Sequence, residues 1–365
     1  MYGSAKTLQM LDDSSLHDDG YHSPILRTEL IELQKERKRL SDQRREYNKV
    51  IAASGRTDHL YNRLEVAAYS LPETIGQIFD IGAPISISSE GKEAVLVFSD
   101  WHYGLSTSNI WNTFNVSVCV NRVQNLVMDA TKRIIDHGCE RLHVVILGDM
   151  VHGAIHTSAR VESEELVTDQ LIQVSEILAQ AIGFLSGRVK ETYVYATYGN
   201  HARVVAKKKD NIHRDNFERL IPWWLKWRLK ENHSVTIVDQ EDTEFINLRV
   251  CGYNICASHG DLDNVHTSPR TLQTLFTRKF GPAARVDYII LGDKHHREEF
   301  EEFGICSMVS GSLCGTDGYA NEKRLYSNPE QLLLIFDKEV GLDATYHIKC
   351  RDAATINNFK EEQPL

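Results

Sequence analysis

Five times along this chain a short apolar run ends in a side chain suited to holding a metal ion. VLVF (95–98) leads to Asp100 and His102, VVIL (144–147) to Asp149, and YVYATY (193–198) to Asn200 and His201. YNICAS (253–258) leads to His259, and YIIL (288–291) to Asp293 and His295. Short apolar runs of this kind read as buried strands. In a layered α/β fold, the carboxyl ends of neighbouring strands form the crevice where such residues can converge. A hard dication needs oxygen and imidazole ligands from several directions, which distant strand ends can supply. The pattern reads as a two-metal site, and such sites mostly handle phosphate esters.

The 365 residues suffice for one large domain with an appendage or for two modest domains, and the 42% hydrophobic content supports a real core. A net charge of −10 argues against a surface that coats nucleic acid wholesale, but not against a local basic track beside a site. The seven cysteines are scattered with no CxxC spacing, which argues against a zinc ribbon or thiol redox site and points to buried free thiols in a reducing compartment. The N-terminal stretch lacks the charged start and apolar core of a signal peptide, and no run of 18 apolar residues is present. The expected location is the cytoplasm, or the host cytoplasm for a phage-encoded chain, with no membrane partner.

Residues 1–24 are polar and read as disordered. Leu26, Leu30, Leu33, Arg37, Leu40, Arg44, Tyr47 and Ile51 then follow heptad spacing, with the two arginines interrupting the seam. A break at Ser54-Gly55 and a second helical stretch over 57–70 make 25–72 a helical hairpin or coiled-coil-like segment. That segment carries eight Lys/Arg against five acids within 27–49, and is a candidate for homodimer contact or for touching nucleic acid. Residues 73–93 read as a linker, 94–350 as the catalytic domain, and 351–365 as a tail. Within the domain, strand-like runs alternate with helical stretches over 116–137, 162–186 and 213–231, an α/β pattern. The tryptophans of the third helix, Trp223, Trp224 and Trp227, read as packing. After 295, strand-like runs at Cys306–Ser310, Leu332–Phe336 and Ala344–Ile348 suggest antiparallel strands.

Each metal-type piece alone has a plain structural reading: a strand-terminal Asp caps a helix, and Gly-Asn-His makes a turn. In Asp100-Trp101-His102, alternate side chains of an extended chain share a face, so both can reach one ion. Gly148 before Asp149 permits close backbone approach. Neither a P-loop nor a dinucleotide-binding glycine motif follows any strand, and no Ser/His/Asp or Cys/His arrangement stands out.

In this order the motifs DxH, GDxxH, GNH, the lone His of HGD and a final GxxH element resemble the calcineurin-like metallophosphoesterases, over about 94–336. That resemblance implies a β-sandwich flanked by helices in α/β/β/α layers, with two divalent ions at one edge. It places Asp100, His102 and His295 on the first metal, Asp149 between the two, and Asn200, His259 and Asp293 on the second. His201 becomes proton donor to the leaving oxygen, with water activated between the ions as attacker of phosphorus. The last element departs from the family's Gly-His-x-His, since Gly292-Asp293-Lys294-His295 stands here, followed by His296. Either Asp293 ligates, shifting preference towards Mn²⁺ or Mg²⁺ over Zn²⁺ or Fe, or it stands behind the ligands with His296 as next candidate.

Three features direct the expected substrate towards DNA. His152, in Asp149-Met150-Val151-His152, stands where the double-strand-break repair nucleases of this superfamily also carry a histidine. Arg203 follows the GNH motif as a further catalytic candidate, and Lys207, Lys208 and Lys209 form a cationic strip suited to a polyanion backbone. The basic N-terminal helices are the third. Looser similarity runs to SbcCD-type nuclease subunits and to phage-type members, and Ser312 in Ser310-Gly311-Ser312-Leu313 resembles a Gly-Ser turn near the site. The competing readings are a small-molecule phosphatase or nucleotide phosphodiesterase, and a non-catalytic metal-binding scaffold.

Overall fold

The computed structural model describes residues 32–45, 47, 66, 77–79 and 91–350, apart from 156, 206, 208, 209, 241 and 243. The expected disordered start, most of the helical hairpin and linker, the tail, and Lys208 and Lys209 lie outside the described residues. Internal contacts divide the chain into two units, 1–68 and 69–365. In the first, residues 32–45 form a helix (α1) whose side chains are all exposed.

The second unit is mixed α/β. Its strands are β1 (Lys92–Phe98), β2 (Thr107–Ser108), β3 (Thr113–Phe114), β4 (Cys139–Ile146), β5 (Glu191–Ala196), β6 (Val235–Ile237), β7 (Phe245–Val250) and β8 (Tyr253–Ser258). They continue with β9 (Tyr288–Leu291), β10 (Glu298–Glu302), β11 (Ile305–Val309), β12 (Glu330–Asp337) and β13 (Gly341–Lys349). One sheet runs β13-β12-β1-β4-β5-β6 and the other β10-β11-β9-β8-β7. In the first, β1, β4, β5 and β6 are parallel, with β12 and β13 added antiparallel at one edge. In the second, β8, β9 and β11 are parallel, and β7 and β10 close the edges antiparallel. All five ligand-bearing runs are therefore parallel strands in the interior of a sheet.

Side-chain alternation divides each central strand between two apolar clusters. Val95, Val97, Val145, Leu147, Leu332 and Leu334 of the first sheet share one cluster with Ile246, Leu248, Ile255, Ala257, Ile290 and Met308 of the second. Ile289 and Leu291, which alternate with Ile290, join Leu272 and Val309 in a separate cluster. Each such fully buried Val, Leu or Ile stabilises by roughly 1.5–3 kcal/mol, so the central strands are the least yielding part of the molecule.

Helix α2 (Val116–Asp136) starts where the Asn115 side chain accepts from the Val118 N–H and stops before Gly138 at φ 64°. It contacts β12 and β13, and α4 (Val167–Ser186) packs against it and against α5 (Leu220–Arg228). The expected helix over 162–186 starts later, as α4 (Val167–Ser186), and a separate short helix α3 (Thr157–Val161) precedes it. The reason is backbone pairing: Ser106 N donates to Glu162 O and Glu164 N to Gly104 O, so those groups are committed elsewhere. The third expected helix, 213–231, shortens to a 3₁₀ turn at Phe217–Arg219 followed by α5. Asn216 is extended there and bridges to Arg203. Trp224 is buried and Trp223 and Trp227 are partly exposed, all on one short helix. No helix among the described residues is long and apolar enough to cross a membrane. The seven cysteines are free, and all but Cys306 are buried.

Candidate metal centre

β1, β4 and β5 are neighbours in one sheet, β8 and β9 in the other, and the loops at their carboxyl ends meet. Hydrogen bonds lock these ends together: Asp100 N to Gly148 O (3.1 Å), His102 N to Asp149 O (3.0 Å) and Gly292 N to His259 O (2.9 Å). Other bonds tie sheet to sheet, among them Asp293 N to Asp100 Oδ2 at 3.0 Å and His259 Nδ1 to Leu147 O at 2.8 Å. The closeness explains two glycines. A Cβ on Gly148 would stand 2.1 Å from Gly199 N, and one on Gly199 would stand 2.0 Å from Asp149 Oδ1.

The extended-strand account of Asp100 and His102 is corrected here. Both lie in the left-handed region, at φ 53° and 47°, as do Asp149 (52°), Asp293 (64°) and His295 (59°). Non-glycine residues held there cost of order 1–3 kcal/mol each and persist where the surroundings over-determine them. Sharp turns rather than strand alternation bring these side chains to a common point.

Two groups result. In the first, His102 Nε2 and His295 Nε2 are 3.1 Å apart, with Asp100 Oδ1 at 3.9 Å from the former and 3.4 Å from the latter. In the second, His259 Nε2 lies 3.4 Å from Asp149 Oδ2 and 3.6 Å from Asp293 Oδ1, and Asn200 Nδ2 donates to that Asp293 oxygen at 2.9 Å. Asp149 also stands within reach of Asp100 and His102, their ligand atoms all within 4.8 Å, so its carboxylate is shared between the groups. The other oxygen of Asp293 is held by Lys294 at 2.9 Å. His296 is exposed and turned to Lys294 O and Glu298, away from both groups.

Burial and the mutual charges of carboxylates and imidazoles pull the titrating groups of the site in opposite directions. Burial works to raise the Asp149 carboxyl, but the imidazoles of His259, His201 and His102 overcome it and hold it well below the usual range. Burial likewise opposes charge on His259 and His295. The Asp149 carboxylate nonetheless raises the former well above the ordinary value, and Asp100 raises the latter to about 9. Burial, then the neighbouring His201, depresses His102 strongly and His152 to about 4.

Several observations fit divalent cations here. Asp100 Oδ1 is fully buried with no hydrogen-bond donor, a state that costs roughly 1–3 kcal/mol unless something cationic satisfies it. His259 Nδ1 faces Leu147 O at 2.8 Å, which aims its Nε2 into the site, the usual arrangement behind a ligating imidazole. The donor set is three carboxylates, one amide and three imidazoles, suited to Mn²⁺, Fe or Zn²⁺. Asp100, His102 and His295 would hold one ion, and Asn200, His259 and Asp293 the other, with Asp149 between. Ligation by Asn200 Oδ1 takes a half-turn of its amide from the rotamer seen. Saturating Mn²⁺ or Zn²⁺ is expected to raise the melting temperature by several degrees, since ligand at about 100–1,000 times Kd adds ~3–4 kcal/mol. A melting curve unmoved by metal and by EDTA would remove the centre.

The remaining sequence candidates divide. His201 Nδ1 faces His152 O at 2.9 Å, its backbone N–H donates to Asp149 Oδ1 at 2.8 Å, and its ring lies 4.6 Å from that of His102. His152 is buried beside it with both ring nitrogens lacking a hydrogen-bond partner. Both line a cleft of about 820 Å³ that also takes in Asp149, Asn200, Asp293 and His295. Arg203 does not line it; its guanidinium donates to Asn200 O (2.6 Å) and Val205 O (3.2 Å), so it braces the GNH turn. Ser312 is also outside the lining, fully buried with its hydroxyl accepting from Gly315 N at 3.1 Å. Lys207 is exposed.

Sequence reasoning missed Glu218. Its buried carboxylate accepts from Met150 N (2.6 Å), Gly199 N (2.8 Å), Asp149 N (3.2 Å) and Val151 N (3.3 Å), stapling the β4 and β5 turns together. Burial, then the nearby Asp149 charge, raises it to about 7. Gln331 does similar work under β1, bonding Ser99 N, Ser99 O and Gly311 O. Neither residue follows an apolar run, so no local signal marked them.

No family model matches the chain. It is 25% identical over 335 residues to the SPbeta prophage-derived uncharacterized protein YonJ of Bacillus subtilis (strain 168), covering 88% of this chain and 80% of that protein. Among solved structures it is similar to a novel archaeal phosphodiesterase, with 17% identity, TM-score 0.34, and coverage of 70% of this chain and 99% of that one. It is also similar to zinc-complexed Vps29 of Entamoeba histolytica, with 14% identity, TM-score 0.32, and coverage of 71% and 99%. A predicted phosphoesterase of Streptococcus pneumoniae follows, with 10% identity, TM-score 0.29, and coverage of 72% and 99%. Likeness at this level leaves the chemistry to be read from the site's own residues.

Proposed function

We propose that this chain is a dinuclear-metal phosphoesterase of the calcineurin-like kind that hydrolyses phosphodiester bonds, with nucleic acid as substrate and Mn²⁺ as the working metal. The observation that carries the reading is the single carboxylate of Asp149 shared between two ligand groups at the floor of an open cleft. Divalent cations held there supply an activated water and neutralise phosphate charge.

The chain's own residues do the rest. His201, pinned through Nδ1 by His152 O, presents Nε2 to the cleft, where it donates a proton to the leaving oxygen. His152 adds a ring with unspent nitrogens beside it, placed to contact a phosphate oxygen. Lys294 and Arg324 bring positive charge to the wall. His201→Ala is expected to lower kcat by roughly 10²–10⁴-fold while leaving metal stoichiometry unchanged, as measured by elemental analysis alongside hydrolysis. Loss of metal instead would make His201 a ligand.

One observation favours a smaller substrate: Glu162 and Asp317 line the same cleft, and burial followed by the Asp317 charge raises the Glu162 carboxyl. A second backbone phosphate at that end would meet two acids. A Mn²⁺ assay on single-stranded DNA, duplex DNA and a small aryl diester separates the readings. Turnover of DNA supports the nuclease, turnover of the diester or a nucleotide alone supports a small-molecule enzyme, and neither with full metal loading leaves a scaffold.

A further inference from the structure

The cleft ends at a feature the hydrolytic reading does not use. Trp111, at the tip of the β2–β3 hairpin, is 55% exposed, and Tyr326, which lines the cleft, is 50% exposed. Their ring centroids are 5.5 Å apart at 62°. Large aromatics rarely stand this open together without something to cover them.

The backbone beneath both residues is held by the same segment. Asn109 Oδ1 accepts from Trp111 N (2.9 Å) and Asn112 N (3.0 Å), while Asn109 Nδ2 donates to Thr316 O (3.1 Å). Asn112 Nδ2 donates to Cys314 O (2.7 Å), and buried Arg122 clamps Leu313 O, Cys314 O and the Asn112 amide oxygen at 2.8–3.0 Å. On the other side, the Thr316 hydroxyl exchanges hydrogen bonds with Ser327, next to Tyr326, at 3.1 Å. The segment begins with Leu313 N donating to Asp100 O at 3.1 Å. An unbroken set of hydrogen bonds thus ties the backbone that carries both residues to the backbone of a candidate metal ligand.

From this we infer that Trp111 and Tyr326 form an angled stacking face for a nucleobase, flat against one ring and edge-on to the other, so that the substrate is a nucleoside-bearing phosphodiester. The inference rests on the phosphodiesterase reading above. Every base has a flat π-face, and a preorganised aromatic pair next to a cation holds one without reading its identity. Arg324 lines the cleft beside Tyr326 and supplies that cation, in reach of a sugar-phosphate. The cleft volume of about 820 Å³ falls in the range of ~300–1,000 Å³ usual for ligands of this size.

Two esters with one leaving group make the test: the p-nitrophenyl ester of thymidine 5′-monophosphate and methyl p-nitrophenyl phosphate. In Trp111→Ala and Tyr326→Ala, KM for the thymidine ester is expected to rise roughly 5- to 100-fold while both constants for the methyl ester stay unchanged. Tyr326→Phe, which keeps the ring, should restore the thymidine preference. Tighter inhibition by a short oligothymidylate than by thymidine monophosphate would identify a strand as the base's source, and equal inhibition a single nucleotide. Both inhibitors should weaken in the two alanine variants. An unchanged ratio of KM values in those variants overturns the stacking face. If neither ester turns over, the phosphodiesterase reading fails separately. Tryptophan fluorescence then still decides, since quenching by thymidine monophosphate that is lost in Trp111→Ala requires the face, and quenching unchanged in that variant denies it.

Discussion

Asp149→Asn is expected to abolish hydrolysis, by on the order of 10³-fold or more, while the protein keeps its fold. Its carboxylate stands in both ligand groups at once, 3.4 Å from His259 and within reach of Asp100 and His102. An amide of the same shape keeps one oxygen but loses the charge and the second bridging atom. Several kcal/mol of charge stabilisation then disappear, at about 1.4 kcal/mol per tenfold in rate. The backbone links that shape the turn, Asp100 N to Gly148 O and His102 N to Asp149 O, do not involve the side chain, and an asparagine Oδ1 can still accept from His201 N. Far-ultraviolet circular dichroism should therefore be unchanged, and bound metal should fall from two ions towards one. Near-wild-type turnover with two ions retained would end the bridging assignment.

Glu218→Ala is expected to produce the largest loss of stability of any single change considered. The residue contacts no ligand group through its side chain; it holds the N–H groups of Asp149, Met150, Val151 and Gly199. Alanine strands those buried donors, each worth roughly 1–3 kcal/mol when unsatisfied, with some relief from relaxation or entering water. The net cost should be about 4 kcal/mol, lowering the melting temperature by roughly 8 °C or more. Activity should fall with it, because the β4 and β5 turns carry Asp149, Asn200 and His201. Glu218→Gln keeps one acceptor oxygen but turns an amide N–H₂ towards the other donors, so an intermediate loss is expected. Full stability in Glu218→Ala, by thermal or urea melts, would show that water alone satisfies the turns.

Much of the strand layout was legible because it is local. Each of the five apolar runs is a strand: β8 matches YNICAS and β9 matches YIIL residue for residue, and the β1 and β4 runs need only end adjustments. A strand buried on both faces must be apolar without interruption, and that is visible in a single chain. Helix α2 was legible from the helical spacing of Val123, Val127, Ala130 and Ile134, all buried on one face, and from Gly138 that ends it. The start of the helix over 162–186 was misjudged because residues 162–164 pair with residues 104–106, some 58 positions away in the bridge Leu105–Ser163. Arg203 was assigned to the site by adjacency to Gly199-Asn200-His201 and Ser312 by resemblance to a Gly-Ser turn, but direction decides use, and both side chains hydrogen-bond the surrounding frame.

What the sequence determined by itself was which residues can bind cations and that each follows a buried strand; composition and spacing suffice for that, since both are properties of neighbours in the chain. Only the tertiary structure decided that Asp149 is shared, that Asp293 rather than His296 faces the second group, and that Glu218 stands behind them. Those outcomes depend on left-handed turns at Asp100, His102, Asp149, Asp293 and His295, a conformation uncommon for any residue other than glycine. Such turns exist because contacts between two sheets hold them there, and contacts between segments far apart in the chain leave no trace in the order of its residues.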